Sequence, residues 1–219
     1  MEEKELDFFP FWEYLSADEK KEIMQTSRKV IFEKNQIIAS TEMDCLGVFY
    51  VLSGLVRVYL YSEDGREVTI ARIGEDEMCM MAASCMVPQI SFSVQVAAES
   101  RVEAVLIPVS VIRKIKEKNV YVENYIYKQT TERFSDVISA VEQMLFMTLE
   151  QRVSAFLIDE SARTGNSTLD ITQEKVAQAI GSAREAVSRI LKQLSAAGCV
   201  EVSRGKIRIL DKKKLYSKM

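Results

Sequence analysis

Five side chains in the C-terminal third of the chain carry the clearest chemistry. Arg184, Ser188 and Lys192 recur at i, i+4 and i+8, with Glu185 and Arg189 one step round. On a helix, residues four apart share a face, so these groups converge. They are the groups that read base edges in a major groove: Arg donates bidentately to guanine O6 and N7, and Glu accepts from cytosine N4. The same residues also fit a plainer arrangement. Ser182 and Glu185 match a capping box, and Glu185 with Arg189 matches an exposed i,i+4 ion pair.

Other chemistry is narrowed by what is missing. The sequence contains no histidine. A Ser-His-Asp triad, a His metal cluster and His-ligated haem are excluded, so no catalytic residue is assigned and no enzyme is expected. Cys45, Cys79, Cys85 and Cys199 form no CxxC pair, and no metal site is expected. Six of the nine residues 78–86 are Met or Cys. Such soft, flexible side chains suit an irregular apolar cavity, whether filled by the core itself or by an apolar small molecule. Cys79 and Cys85 also admit a thiol redox switch.

The elements that must position these groups follow from the pattern. Roughly residues 173–180 read as a first helix with Val176, Ala177 and Ile180 inward, stopped by Gly181. A second helix, roughly 183–197 with Ser182 as its cap, turns Val187, Ile190, Leu191 and Leu194 inward. A helix at roughly 149–163 precedes them, and CVEVS-RG-KIRIL follows as a hairpin turning at Arg204-Gly205. Helix, helix, glycine turn, helix, hairpin is the order of a winged helix-turn-helix. Charge agrees: residues 1–148 carry 16 basic and 24 acidic side chains, whereas 149–219 carry 13 and 8. An acidic front and a basic back point to two modules, the second with a polyanionic partner.

In front, residues 8–29 read as helical, with a capping box at Ser16 and Glu19. From Val30 to Ile107 short apolar runs alternate with turn signals, Asp64-Gly65 among them, as in a small sandwich or barrel. A continuous helix of roughly 109–148 follows. Along it Thr130, Phe134, Val137, Val141, Met144 and Thr148 alternate at four and three, the spacing of a dimer seam. Ile138 and Leu145 offer a second apolar face to the protein's own core. No secretion signal or membrane-length apolar run is evident, so a soluble protein in a reducing cytoplasm is expected.

Residues 171–191, ITQEKVAQAIGSAREAVSRIL, resemble the helix-turn-helix of the Crp/Fnr family of bacterial transcription regulators. Residues 49–77, FYVLSGLVRVYLYSEDGREVTIARIGEDE, resemble that family's β-roll. The resemblance implies an α+β chain: a sensor β-roll at 1–108, a dimerisation helix at 109–148 and a winged helix-turn-helix at 149–219. It implies a homodimer on double-stranded DNA, at a palindrome with TGTGA- or TTGA-like half-sites, with RNA polymerase as a further partner. Arg184, Glu185 and Arg189 fall at the base-reading positions, Ser188 matches a serine of Fnr-like members, and Thr172 falls at a phosphate-contacting position; Lys192 is a candidate from its place on the same helix face. Arg204, Lys206, Arg208 and Lys212-Lys213-Lys214 are candidate backbone contacts.

The sensor departs from the family. Cyclic-nucleotide members carry a Gly-Glu and an Arg-Ser-Ala, in which Glu holds the ribose and Arg the phosphate. Here Glu77-Met78-Cys79-Met80-Met81 and Ser91-Phe92-Ser93-Val94 stand instead, and no arginine lies between Arg72 and Arg101. A buried phosphate without a cation is costly. The dimer helix brings Val137 and Ile138 where Crp-like members present polar groups. The expected effector pocket is therefore Met78, Cys79, Met81, Cys85, Val137 and Ile138, with a small molecule other than a cyclic nucleotide. No cofactor is named. A haem or thiol sensor is an alternative, the Cys79–Cys85 stretch resembling the cysteine neighbourhood of carbon-monoxide sensors. A cyclic-nucleotide regulatory module that does not bind DNA is another.

Overall fold

In the computed structural model, residues 1–3, 6–40, 47–63, 65–79 and 94–219 are described. Two compact units result, one of residues 1–60 and 70–137, the other of 61–69 and 138–219. Among the described residues no helix is long and apolar enough to cross a membrane.

The short apolar runs form strands β1 (Arg28–Phe32), β2 (Ile37–Ala39), β3 (Gly47–Ser53), β4 (Val56–Tyr61), β5 (Glu67–Ile73), β6 (Met78–Cys79), β7 (Gln95–Ala98) and β8 (Val102–Pro108). They make two four-stranded sheets, ordered β1-β8-β3-β6 and β2-β7-β4-β5. Strand alternation sorts the side chains. Phe49, Val51, Ala104, Leu106 and Cys79 join Val56, Val58, Ile70, Val94 and Val96 in one buried cluster. Their neighbours Val48, Tyr50, Val105, Ile107 and Met78 enter a second cluster on the opposite face, under the N-terminal aromatics and helices. Asp64 lies outside the described residues. Beside it Gly65 has φ of 76°, a conformation that glycine tolerates, between the adjacent strands β4 and β5.

Two helix expectations need correction. The N-terminal helix is shorter than 8–29: a 3₁₀ turn at Trp12–Tyr14 precedes α1 (Ala17–Thr26), and Arg28 already pairs with β8. Its start is as expected, since Ser16 Oγ accepts from the Glu19 N–H and the Ser16 N–H donates to Glu19 Oε2 at 2.8 Å. The helix over 109–148 is likewise two helices, α2 (Val109–Lys116) and α3 (Val120–Phe146). Asn119 makes the break. Its Oδ1 accepts from the N–H groups of Tyr121 and Val122, and its Nδ2 donates to the Tyr14 carbonyl at 2.9 Å. Asn favours such caps because its side chain replaces a missing helical acceptor.

The N-terminal segment ties α3 to the sheets through aromatics. Phe8 stacks on Tyr50 at 4.2 Å between ring centroids, and Phe11 meets Tyr125 edge-on at 5.5 Å. Tyr50 donates to Asp76 Oδ1 at 3.2 Å. Burial and the Asp76 carboxylate raise the Tyr50 phenol above its ordinary value. Burial pushes Tyr125 up to about 12, with Glu132 and Tyr50 adding and Arg133 opposing. The unfolded phenol ionises near 10, so folding favours the neutral form and stability falls as pH rises from about 10 to about 12. The native protein is expected to lose more stability over that window than Tyr125→Phe in urea titrations; equal losses would contradict the assignment.

Candidate nucleic-acid interface

The second unit is built from α4 (Leu149–Thr164), β9 (Thr168–Leu169), α5 (Gln173–Ile180), α6 (Arg184–Ala196), β10 (Val200–Ser203), β11 (Lys206–Ile209) and α7 (Lys212–Tyr216). Thr148 and Gln151 form a capping box at the start of α4. The core joins Val153 and Leu157 of α4, Val176, Ala177 and Ile180 of α5, Val187, Leu191 and Leu194 of α6, and Val200, Ile207 and Ile209 of the hairpin. Sequence reading missed β9 and α7. The signal for α7 was Asp211, whose Oδ1 accepts from the Lys214 N–H at 3.0 Å, followed by an inward Leu215.

Thr172 caps α5, its Oγ1 accepting from the Lys175 N–H at 3.2 Å, and its side chain stays exposed. Gly181 ends that helix with φ of 66°, left-handed backbone that a side chain resists. The start of α6 differs from the capping box expected. Ala183 is the N-cap and offers no side-chain acceptor, while the Ser182 N–H donates to the Ala177 carbonyl at 3.0 Å. The helix thus begins one residue later than a Ser182 cap requires. Glu185 occupies the second helical position rather than the third, out of reach of a reciprocal box.

This shift releases the charged face. Arg184, Glu185, Arg189 and Lys192 are exposed, and no hydrogen bond or ion pair with a described residue engages them. The Glu185–Arg189 pair does not form. Ser188 is half-buried between them, while Val187, Leu191 and Leu194 anchor the opposite face. The result is a helix face of unpaired donors and one acceptor, held by a packed core.

The hairpin flanks it. Lys206 pairs with Asp170 at 3.2 Å and Arg208 with Glu201 at 2.6 Å, all four exposed. Such surface pairs contribute about 0–1 kcal/mol, so a phosphate can displace the carboxylates. Arg204 at the turn is exposed with no partner among the described residues, and Lys212, Lys213 and Lys214 are exposed on α7.

The expected effector residues do not gather in one place. Cys79 faces the space between the sheets, and Val137 packs against that same cluster. Met78 points to the opposite side of its sheet and Ile138 is exposed, because neighbours alternate on a strand and lie about 100° apart on a helix. Met78 therefore belongs to a different cluster from Cys79. Met81 and Cys85 lie outside the described residues. Among the described residues the buried polar side chains are Ser27, Ser154 and Ser161, none of them charged. Arg72 commits its guanidinium to Glu99, Nε to Oε2 at 2.7 Å, and Arg101 pairs with Glu103 and Glu33. No group of three or more Cys, Asp or Glu among the described residues is placed to hold a metal.

Comparison with known proteins agrees with this arrangement. Residues 151–217 match the profile of the Crp-like helix-turn-helix domain, and residues 29–119 match that of the cyclic nucleotide-binding domain. A protein from Eubacterium rectale, assigned as a transcriptional regulator of the Crp/Fnr family, has a crystal structure that superposes with a TM-score of 0.93 at 37% identity, covering 97% of this chain and 98% of that one. The cAMP-activated global transcriptional regulator Vfr of Pseudomonas aeruginosa is 24% identical over 178 residues, 76% of this chain and 81% of its own. The cAMP-activated global transcriptional regulator CRP of Pasteurella multocida is 24% identical over 153 residues, 67% and 73% respectively.

Proposed function

The chain belongs to the Crp/Fnr family of DNA-binding transcription regulators, and from that premise we propose that it acts in the cytoplasm as a homodimer on a palindromic site, under control of a small effector other than a cyclic nucleotide. One observation carries the DNA reading: the outer face of α6 holds Arg184, Glu185, Arg189 and Lys192 exposed, with no hydrogen bond or ion pair to any described residue. Arg and Glu on such a face select G and C through the major groove. Thr172, Arg204, Lys206 and the α7 lysines supply contacts to the backbone, which set register and affinity. RNA polymerase is the partner through which binding affects transcription.

Selection from a random-sequence duplex pool tests this. Native protein is expected to enrich a two-fold symmetric site resembling TGTGA or TTGA half-sites. Affinity should fall steeply with salt, because each neutralised phosphate releases counterions. A pool without enrichment, or binding indifferent to salt, would overturn the reading.

The effector reading rests on charge. A cyclic phosphate is a permanent anion, and in a dry site it needs a cation or several strong donors. Sequence positions 73–100 hold no Lys or Arg, and Arg72 and Arg101, which flank them, are each engaged by carboxylates. The described layer between the sheets is apolar, formed by Val56, Val58, Ile70 and Val96 with Val137 packed against it, surroundings that suit an apolar effector better than an anion. Calorimetry with millimolar cyclic AMP or cyclic GMP is expected to give no saturable heat. A saturable heat at one site per protomer would overturn the apolar reading.

A further inference from the structure

We propose that Arg152 is a positioning residue for base reading: from α4 it ties down the end of α5, and thereby sets the direction in which α6 leaves the turn. The inference rests on the DNA-binding reading and adds to it a residue that touches no base.

Arg152 lies in the first turn of α4 and donates from Nη1 to the carbonyl of Ile180 at 3.0 Å. Ile180 is the last residue of α5. Carbonyls in a last helical turn have no following N–H to accept from, and they carry the negative end of the helix dipole. After Ile180 the chain reverses at Gly181, whose N–H and that of Ser182 both return to the Ala177 carbonyl. Those two bonds close the turn but leave the Ile180 carbonyl to Arg152. A guanidinium suits that place, because its charge faces the negative helix end and its planar fork fixes direction.

Two features make this a device and not an incidental contact. Arg152 has no ion pair with any described residue, and its Nε is buried without a hydrogen-bond partner. A cation held in the protein without a carboxylate is disfavoured unless its one strong contact matters. Meanwhile the N-cap of α6, Ala183, makes no side-chain cap bond, so beyond the two bonds that close the turn nothing at the start of α6 fixes its entry angle. A tether from α4 fills that role. The dependence of base contact on angle is steep: a 13-residue helix, at ~1.5 Å rise per residue, spans about 20 Å. A small rotation at the turn therefore displaces Arg189 and Lys192 by ångströms, enough to lose bidentate geometry.

The experiment compares native protein with Arg152→Met on two duplexes: the one that native protein enriches from the random pool, and a scrambled duplex of equal length. Arg152→Met is expected to lower the ratio of specific to scrambled affinity about tenfold. Binding to the scrambled duplex and the salt slope should stay as in the native protein. An unaltered ratio, with an enriched duplex in hand, overturns the inference and leaves the DNA reading standing. Loss on both duplexes with a salt slope lower by about one also overturns it, since that makes Arg152 a phosphate contact. Should Arg152→Met show no cooperative melt, Arg152→Gln is read in its place: a ratio lowered at least threefold with an unchanged slope supports the assignment, and an unaltered ratio overturns it.

Discussion

Arg189→Ala is expected to lower affinity for the selected palindrome by roughly 5- to 150-fold per half-site, the equivalent of about 1–3 kcal/mol, and to relax preference at one base pair. The magnitude follows from what is removed. Arg189 is exposed on the outer face of α6 and has no partner among the described residues, so truncation opens no cavity and strands none of them. Whatever affinity is lost is lost from the DNA. Arg204→Ala is the contrast: at the hairpin turn it should weaken all sequences alike and lower the salt slope by about one, because a phosphate contact carries no sequence information. Competition binding on a panel of single-base variants separates the two patterns. An Arg189→Ala protein with native affinity and native base preference would remove α6 from the groove.

How far these features were legible in the sequence depended on whether local chemistry or packing decided them. The span of α5 was readable because its apolar positions run up to a glycine that takes left-handed backbone; the Thr172 cap at its start is seen in the structure. The turn at Arg204-Gly205 was readable for the same kind of reason, with Ser203 and Lys206 paired across it. The start of α6 was not. Both Ser182 and Ala183 could end the turn, and the choice falls to the Ser182 N–H, which follows Gly181 back to Ala177. Propensity favours serine at a cap; the geometry of the glycine turn prevails. The sensor pocket was only half readable. Composition drew attention to the Met- and Cys-rich run, but the side each residue faces depends on register. Cys79 pairs with Phe49 and Met78 with Tyr50, and that register sends Met78 to the helical layer. Tyr50 itself illustrates the point: it sits in an apolar run, yet its hydroxyl reaches Asp76 on that same outer face.

Leu145→Glu on α3 is expected to convert the protein to monomers in sedimentation and to lower affinity for the palindrome on the order of 10²- to 10⁴-fold, since a monomer engages one half-site without the gain of the second. The choice of residue is where sequence and structure part. The expected seam ran through Phe134, Val137, Val141 and Met144. A second seam, one residue round, shares Phe134 and Val141 and replaces the others by Ile138 and Leu145, again at alternating four and three. Spacing alone cannot separate them. Burial does. Phe134 is 63% exposed, Ile138 48%, Val141 45%, Leu145 70% and Met144 39%, so the seams part at Val137, which packs against the inter-sheet cluster and is already occupied. Ile138 and Leu145 are therefore exposed and not in the protein's own core, as their spacing first suggested; in the proposed homodimer they are the stripe expected to meet the second copy. Extended back along the helix, the stripe takes in Thr131 and Tyr127, both exposed. A helix with one face on its own domain and a heptad stripe to solvent is the arrangement that a two-fold coiled coil completes. Val137→Ala then provides the control. It should lower the melting temperature by loosening the sandwich while leaving the dimer intact, and Leu145→Glu should do the reverse. Dissociation by Val137→Ala with an undisturbed dimer for Leu145→Glu would restore the original seam and overturn the rotated one.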